Sequence, residues 1–139
     1  MFTSVSSRSA YAYKRASVDA SVEMADPHQL VTLLFDALQR ALGSAKLCIQ
    51  SGDVAGKCKH ITTAMRILEE GLIAPLDIEK GGELALNLKD VYEYSVRRII
   101  MANAKSDVAP LDEVVHLMEP IANGWKQING NGPAYLKPV

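Results

Sequence analysis

The stretch PLDIEKGGELALNLKDVYEY, residues 75–94, decides how this chain folds. It joins an acidic turn, two adjacent glycines and an amphipathic run with one Asn and two Tyr. Three readings compete: a phosphate-cradling loop, a catalytic site, or a corner between two helices that offers a surface to a partner. A phosphate loop needs a preceding strand, more glycine and positive or neutral surroundings, because its backbone N–H groups must point at an anion. Here Asp77, Glu79 and Glu83 crowd Gly81 and Gly82, and the residues before them carry a helical pattern. Repulsion between those carboxylates and a phosphate argues against the first reading. The glycines read instead as the turn between two helices, with Asp77 capping it.

The flanks support a corner. Downstream, Leu84, Leu88, Val91, Ser95 and Ile99 share one helical face, and Ala85, Tyr92, Val96 and Asn103 lie on the neighbouring one. Upstream, Cys58, Ile61, Met65, Leu68 and Leu72 recur in steps of three and four, from a capping Asp53 to a closing Pro75. Before that, Asp26 is an N-cap candidate, Pro27 fits the first helical position and Gln29 nearly completes a capping box. Apolar residues from Leu30 to Ala45 then predict a helix over about residues 27–50, ended by Gly52. After the connector NAKSDVAP, a last helix carries Leu111, Val114, Met118, Ile121 and Trp125. Pro120 lies inside it and is expected to kink or split it, because proline lacks the backbone donor.

Four helices joined by short turns, with no period-two alternation, predict an all-α, antiparallel up-down four-helix bundle. The 139 residues fit a single domain: an N-terminal arm over 1–25, mobile or at most short-helical, a bundle over 26–129 and a flexible tail over 130–139. An apolar share of 48% supports a real core. Fifteen basic residues nearly cancel sixteen acidic ones, so no electrostatic footprint for nucleic acid exists. No run has signal-peptide character or the ~18 apolar residues of a membrane span, so a cytoplasmic chain without direct membrane insertion is expected. Cys48 and Cys58 are too few for a disulfide framework; they read as reduced, buried thiols or as an oxidation-sensitive pair across one helix corner.

No catalytic constellation emerges. His28, His60 and His116 fall on different predicted helices, and none has a second ligand at metal spacing. Serines cluster in the arm without a nucleophile elbow. The carboxylate pairs Glu69–Glu70 and Asp112–Glu113 are exposed helix neighbours. The expectation is a protein that is not an enzyme and needs no metal or cofactor.

What remains is surface. Ile67, Leu72 and Ile73 spill off the stripe of the second helix; Leu86, Tyr94 and Ile100 spill off that of the third. They either complete a wide core face or form a groove for an amphipathic helix. Tyr92 and Tyr94 stand two apart on a helix, so both cannot face the core. Tyr11 and Tyr13 stand in an otherwise plain arm, where a solvated tail would gain nothing from them.

Taken together, these residues resemble the flagellin-specific export chaperones of bacterial flagella, the FliS family. The resemblance runs from about Ala10 to Ile128 and is most specific in LDIEKGGELALNLKDVYEY, where Leu-Asp, Gly-Gly and Asn87-Leu precede a tyrosine. The helix start ADPHQLVTLLFDAL, the arm AYAYKRASV and the late GWKQI fit as well. The resemblance implies a four-helix chaperone that binds the C-terminal segment of newly made flagellin, blocks premature polymerisation and engages the cytoplasmic domain of the flagellar export gate. It also implies that Tyr11 or Tyr13 contributes to binding. The partner-binding positions expected from both arguments are Tyr11, Tyr13, Ile67, Leu72, Leu86, Asn87, Tyr92 and Tyr94. A generic helical adaptor for another amphipathic helix is the alternative, and a small helical enzyme or metal protein a more distant one.

Overall fold

A computed structural model describes residues 26–128. The expected N-terminal arm, with Tyr11 and Tyr13, and the expected tail lie outside the described residues. Among the described residues four helices form a bundle: α1 is Pro27–Ser51, α2 Val54–Arg66, α3 Ile78–Lys105 and α4 Ala109–Lys126. Helix α2 continues without a break into a π-helical segment, Ile67–Ile73. No strand element occurs among the described residues. The helices contact one another in ring order, with α4 closing back on α1.

Local chemistry sets most of the ends. The Asp26 carboxylate accepts from the Gln29 amide at 2.7 Å, and Asp53 accepts from Gly56 at 2.9 Å. Asp77 accepts from Lys80 at 3.1 Å, opening α3. Each cap satisfies a donor that the first helical turn leaves orphaned. Gly52 ends α1 in the left-handed region, at φ 76°, where a Cβ would be strained. At the far end of α3 a buried lysine does comparable work. Lys57 Nζ donates to Asn103 O at 3.1 Å and to Ser106 Oγ at 2.9 Å, so a cation from α2 closes the carbonyl end of α3.

The core is a single cluster of side chains from all four helices, including Leu30, Leu34, Leu38, Ile61, Ile99, Leu111 and Met118. Burying each Leu, Ile or Met contributes about 1.5–3 kcal/mol. At one end His28 and Trp125 tie α1 to α4. Their rings stack at 5.0 Å; the indole N–H donates to His28 O at 3.0 Å, and His28 Nε2 lies 2.8 Å from Trp125 O.

Four expectations need correction. The π-helical segment replaces the last turns expected of α2: the Ala74 amide bonds back five residues to Glu69 O at 3.0 Å. Within it Ile67 and Leu72 are core residues, 0% and 4% exposed, so of the two roles open to them they complete the core face. Second, the glycine pair is not the whole turn: the chain first turns at residues 74–77, around a buried Pro75, and one helical turn later Gly82, at φ 53°, ψ −131°, is non-helical and separates that turn from the rest of α3. Leu84, just beyond the kink, is exposed and does not join the core face. Third, Pro120 does not split α4. It occupies an exposed position of one continuous helix, on a face where water can satisfy the carbonyl it leaves unpaired. Fourth, the thiols are not buried: Cys58 is exposed and Cys48 half-buried.

Candidate functional site

The outer face of α3 is the candidate site. On its inner face Ala85, Leu88, Tyr92, Ser95, Ile99 and Ala102 are buried. On the opposite face Leu86 is 47%, Tyr94 36%, Ile100 50% and Met101 38% exposed. Around the helix axis these four fall within about 120° of one another, at 100° per residue, on the side away from the bundle. Asp90, Glu93 and Arg97 stand between them. Scattered apolar residues on a surface need no explanation, but a row along one helix does.

Tyr94 is held at the α4 edge of this row. Its hydroxyl donates to Glu113 Oε2, whose other oxygen accepts from Arg98 Nε at 2.6 Å. The Arg97 guanidinium lies over the Tyr94 ring, 5.9 Å from its centre. The two hydrogen bonds, from Tyr94 and then Arg98, hold the Glu113 carboxyl below its ordinary range. The same bond to Glu113, with desolvation second, raises the Tyr94 hydroxyl above its own. The ring therefore has a fixed orientation on the surface.

The structure divides the positions expected from sequence. Leu86, Asn87 and Tyr94 lie together on the outer face of α3. Tyr92 is buried, 3% exposed, so of the two tyrosines Tyr94 is the surface one. Leu72 and Tyr92 instead line a small cleft with Val31, Phe35, Gly71, Leu76 and Trp125. Ile67 lies in the core, away from both. Met101 was missed: with Met65 and Met118 facing inward on other helices, a lone methionine carries no sequence signal for exposure.

No group of three or more His, Cys, Asp or Glu side chains could hold a metal ion among the described residues. No helix among them is long and apolar enough to cross a membrane. His60 is half-buried on α2, and His116 is exposed on α4 with Nδ1 2.8 Å from Asp112 O.

Comparison with known proteins gives a consistent result. The family model described as flagellar protein FliS matches residues 9–132. The flagellar secretion chaperone FliS of Salmonella typhimurium is 44% identical over 118 residues, 85% of this chain and 87% of its own. Its Escherichia coli K12 counterpart is 41% identical over 116 residues, 84% of this chain and 85% of its own. The Bacillus subtilis protein of the same name is 27% identical over 107 residues, 77% and 78% of the two chains.

Proposed function

The chain belongs to the FliS family of flagellar secretion chaperones, and from that premise we propose that it binds the C-terminal segment of flagellin before export. In this reading the client segment is disordered when free and becomes helical on the chaperone, in the cytoplasm. The bound segment cannot polymerise early, and the complex docks on the cytoplasmic domain of the flagellar export gate.

The observation that carries this reading is the exposed row Leu86, Tyr94, Ile100 and Met101 on α3. A segment that folds on binding loses about 2–5 kcal/mol to ordering. At about 25 cal/mol per Å² of apolar surface, offsetting that loss takes on the order of 100–200 Å². An amphipathic helix laid along this row supplies such contacts in the manner of helix-in-groove recognition. Asn87 at the rim offers a side-chain amide for polar contacts with the client. Tyr11 and Tyr13 are assigned to the same binding role from the sequence argument alone. No catalytic step enters this function.

Titrating the chain with a flagellin C-terminal peptide tests it. A 1:1 complex with gained helicity by circular dichroism is expected, and Ile100→Lys weakens it at least tenfold while the free chaperone keeps its own helicity. A peptide that stays unbound and unstructured refutes the proposal. Unaltered binding by Ile100→Lys would reject α3 as the site.

A further inference from the structure

The outer face of α3 carries a charge order of its own. Asp90 and Glu93 precede Arg97 along the row, and Leu86 and Met101 close its two ends. None of the three charged residues takes part in an ion pair within the described residues. Residues 86, 90, 93, 97 and 100 follow one another in steps of four and three, the spacing of a helix–helix seam. Placed antiparallel against itself, with a two-fold axis beside Glu93 and Tyr94, this face is complementary. Leu86 of one copy lies across from Met101 of the other. Arg97 of each copy comes opposite Asp90 of its mate and one turn from its Glu93; the two Glu93 side chains meet beside the axis, each within reach of an Arg97.

We propose that α3 pairs with α3 of a second copy of this chain in that antiparallel arrangement. The pairing is isologous, so every favourable contact occurs twice. Acid-before-base order is what makes it antiparallel. A parallel pair would set Asp90 against Asp90 and Arg97 against Arg97. Residues 86–101 span about 22 Å at 1.5 Å per residue, so one helix pair buries less than about 1,200 Å². The dimer is therefore weak and concentration-dependent. It would cover the same row that the proposed client uses, so self-pairing and client binding compete; only that competition rests on the client reading.

Charge reversal tests the arrangement without client. Light scattering and sedimentation follow the full chain over a concentration series. Wild type should pass from monomer to dimer. Arg97→Glu alone, and the Asp90→Arg, Glu93→Arg double variant alone, should each weaken dimerisation at least about tenfold, because like charges then face each other. An equimolar mixture of the two variants should dimerise again, because every facing pair is then opposite in sign. Circular dichroism confirms that each variant is folded. A wild type that stays monomeric throughout, reversals without effect, or a mixture that fails to pair would overturn the proposal. Client titration at concentrations where the monomer dominates is a separate measurement. Its failure removes the competition and leaves the pairing intact.

Discussion

Tyr94, Glu113 and Arg98 show how two half-buried side chains hold one exposed ring on the surface. Glu113 holds its proton less tightly in the folded chain than in the unfolded one, because it accepts from both Tyr94 and Arg98. A depressed carboxyl adds stability that is complete above the ordinary glutamate value near pH 4.3 and fades as the pH falls through the folded value. Tyr94 works in the opposite sense: its raised hydroxyl adds stability that is lost as the pH rises through its folded value. Glu113→Gln should therefore flatten the acid limb of a stability-against-pH curve, measured by urea unfolding between pH 6 and pH 2. An unchanged slope would show that the network adds nothing. Gly71 gives a steric counterpart. A Cβ there would meet Leu34 Cδ1 at 3.1 Å, and Leu34 is fully buried. Alanine is the better helix former by about 1 kcal/mol, yet crowding a packed core costs about 1–3 kcal/mol. Gly71→Ala should lose stability in thermal melts, by up to about 2 kcal/mol. A gain would mean that Leu34 moves freely.

Helix ends were readable because capping is decided among near neighbours. Asp26, Asp53 and Gly52 need only their own few residues to act, and each acts as its sequence position suggests. The corner between the second and third helices was not readable in the same way. Two adjacent glycines mark freedom without saying how it is spent, and the chain uses Gly82 to bend α3 after its first turn. The wide winding of Ile67–Ile73 left no local mark either, since its pattern of Ile, Leu and Gly also suits an ordinary helix. Lys57 was invisible for another reason: its partners, Asn103 and Ser106, come from a distant helix. Lys57→Met keeps the aliphatic stem and removes the cation from the end of α3. It should cost about 1–2 kcal/mol in chemical denaturation, with hydrogen exchange quickening first around Asn103. Protection that is unchanged there would assign the lysine to packing alone.

Across the molecule, the ring of four helices explains why α3 stands apart. Its inner face packs on α2, the π-helical segment and α4, and its outer face meets α4 at its edge, where Tyr94 bonds to Glu113. Sequence alone showed that the helices had apolar residues to spare, but not on which side. The π-helical segment takes Ile67 and Leu72 inward, whereas α3 leaves Leu86, Tyr94 and Ile100 outside. That division depends on the rotation of each helix about its axis, which tertiary packing sets. The π-helical segment also gives the chain one residue of slack. Rings closed over five residues hold one more than rings closed over four. Deleting the exposed Glu69 should let the winding relax to the ordinary pitch while the stretches before and after it stay in phase. Deleting the exposed Thr62, in the regular part of α2, should instead turn the following residues by about 100°. The first shortened protein should melt as a folded protein and well above the second. If both collapse alike, the loop of spare length is needed where it stands, and this lineage has no cheap way to lose it.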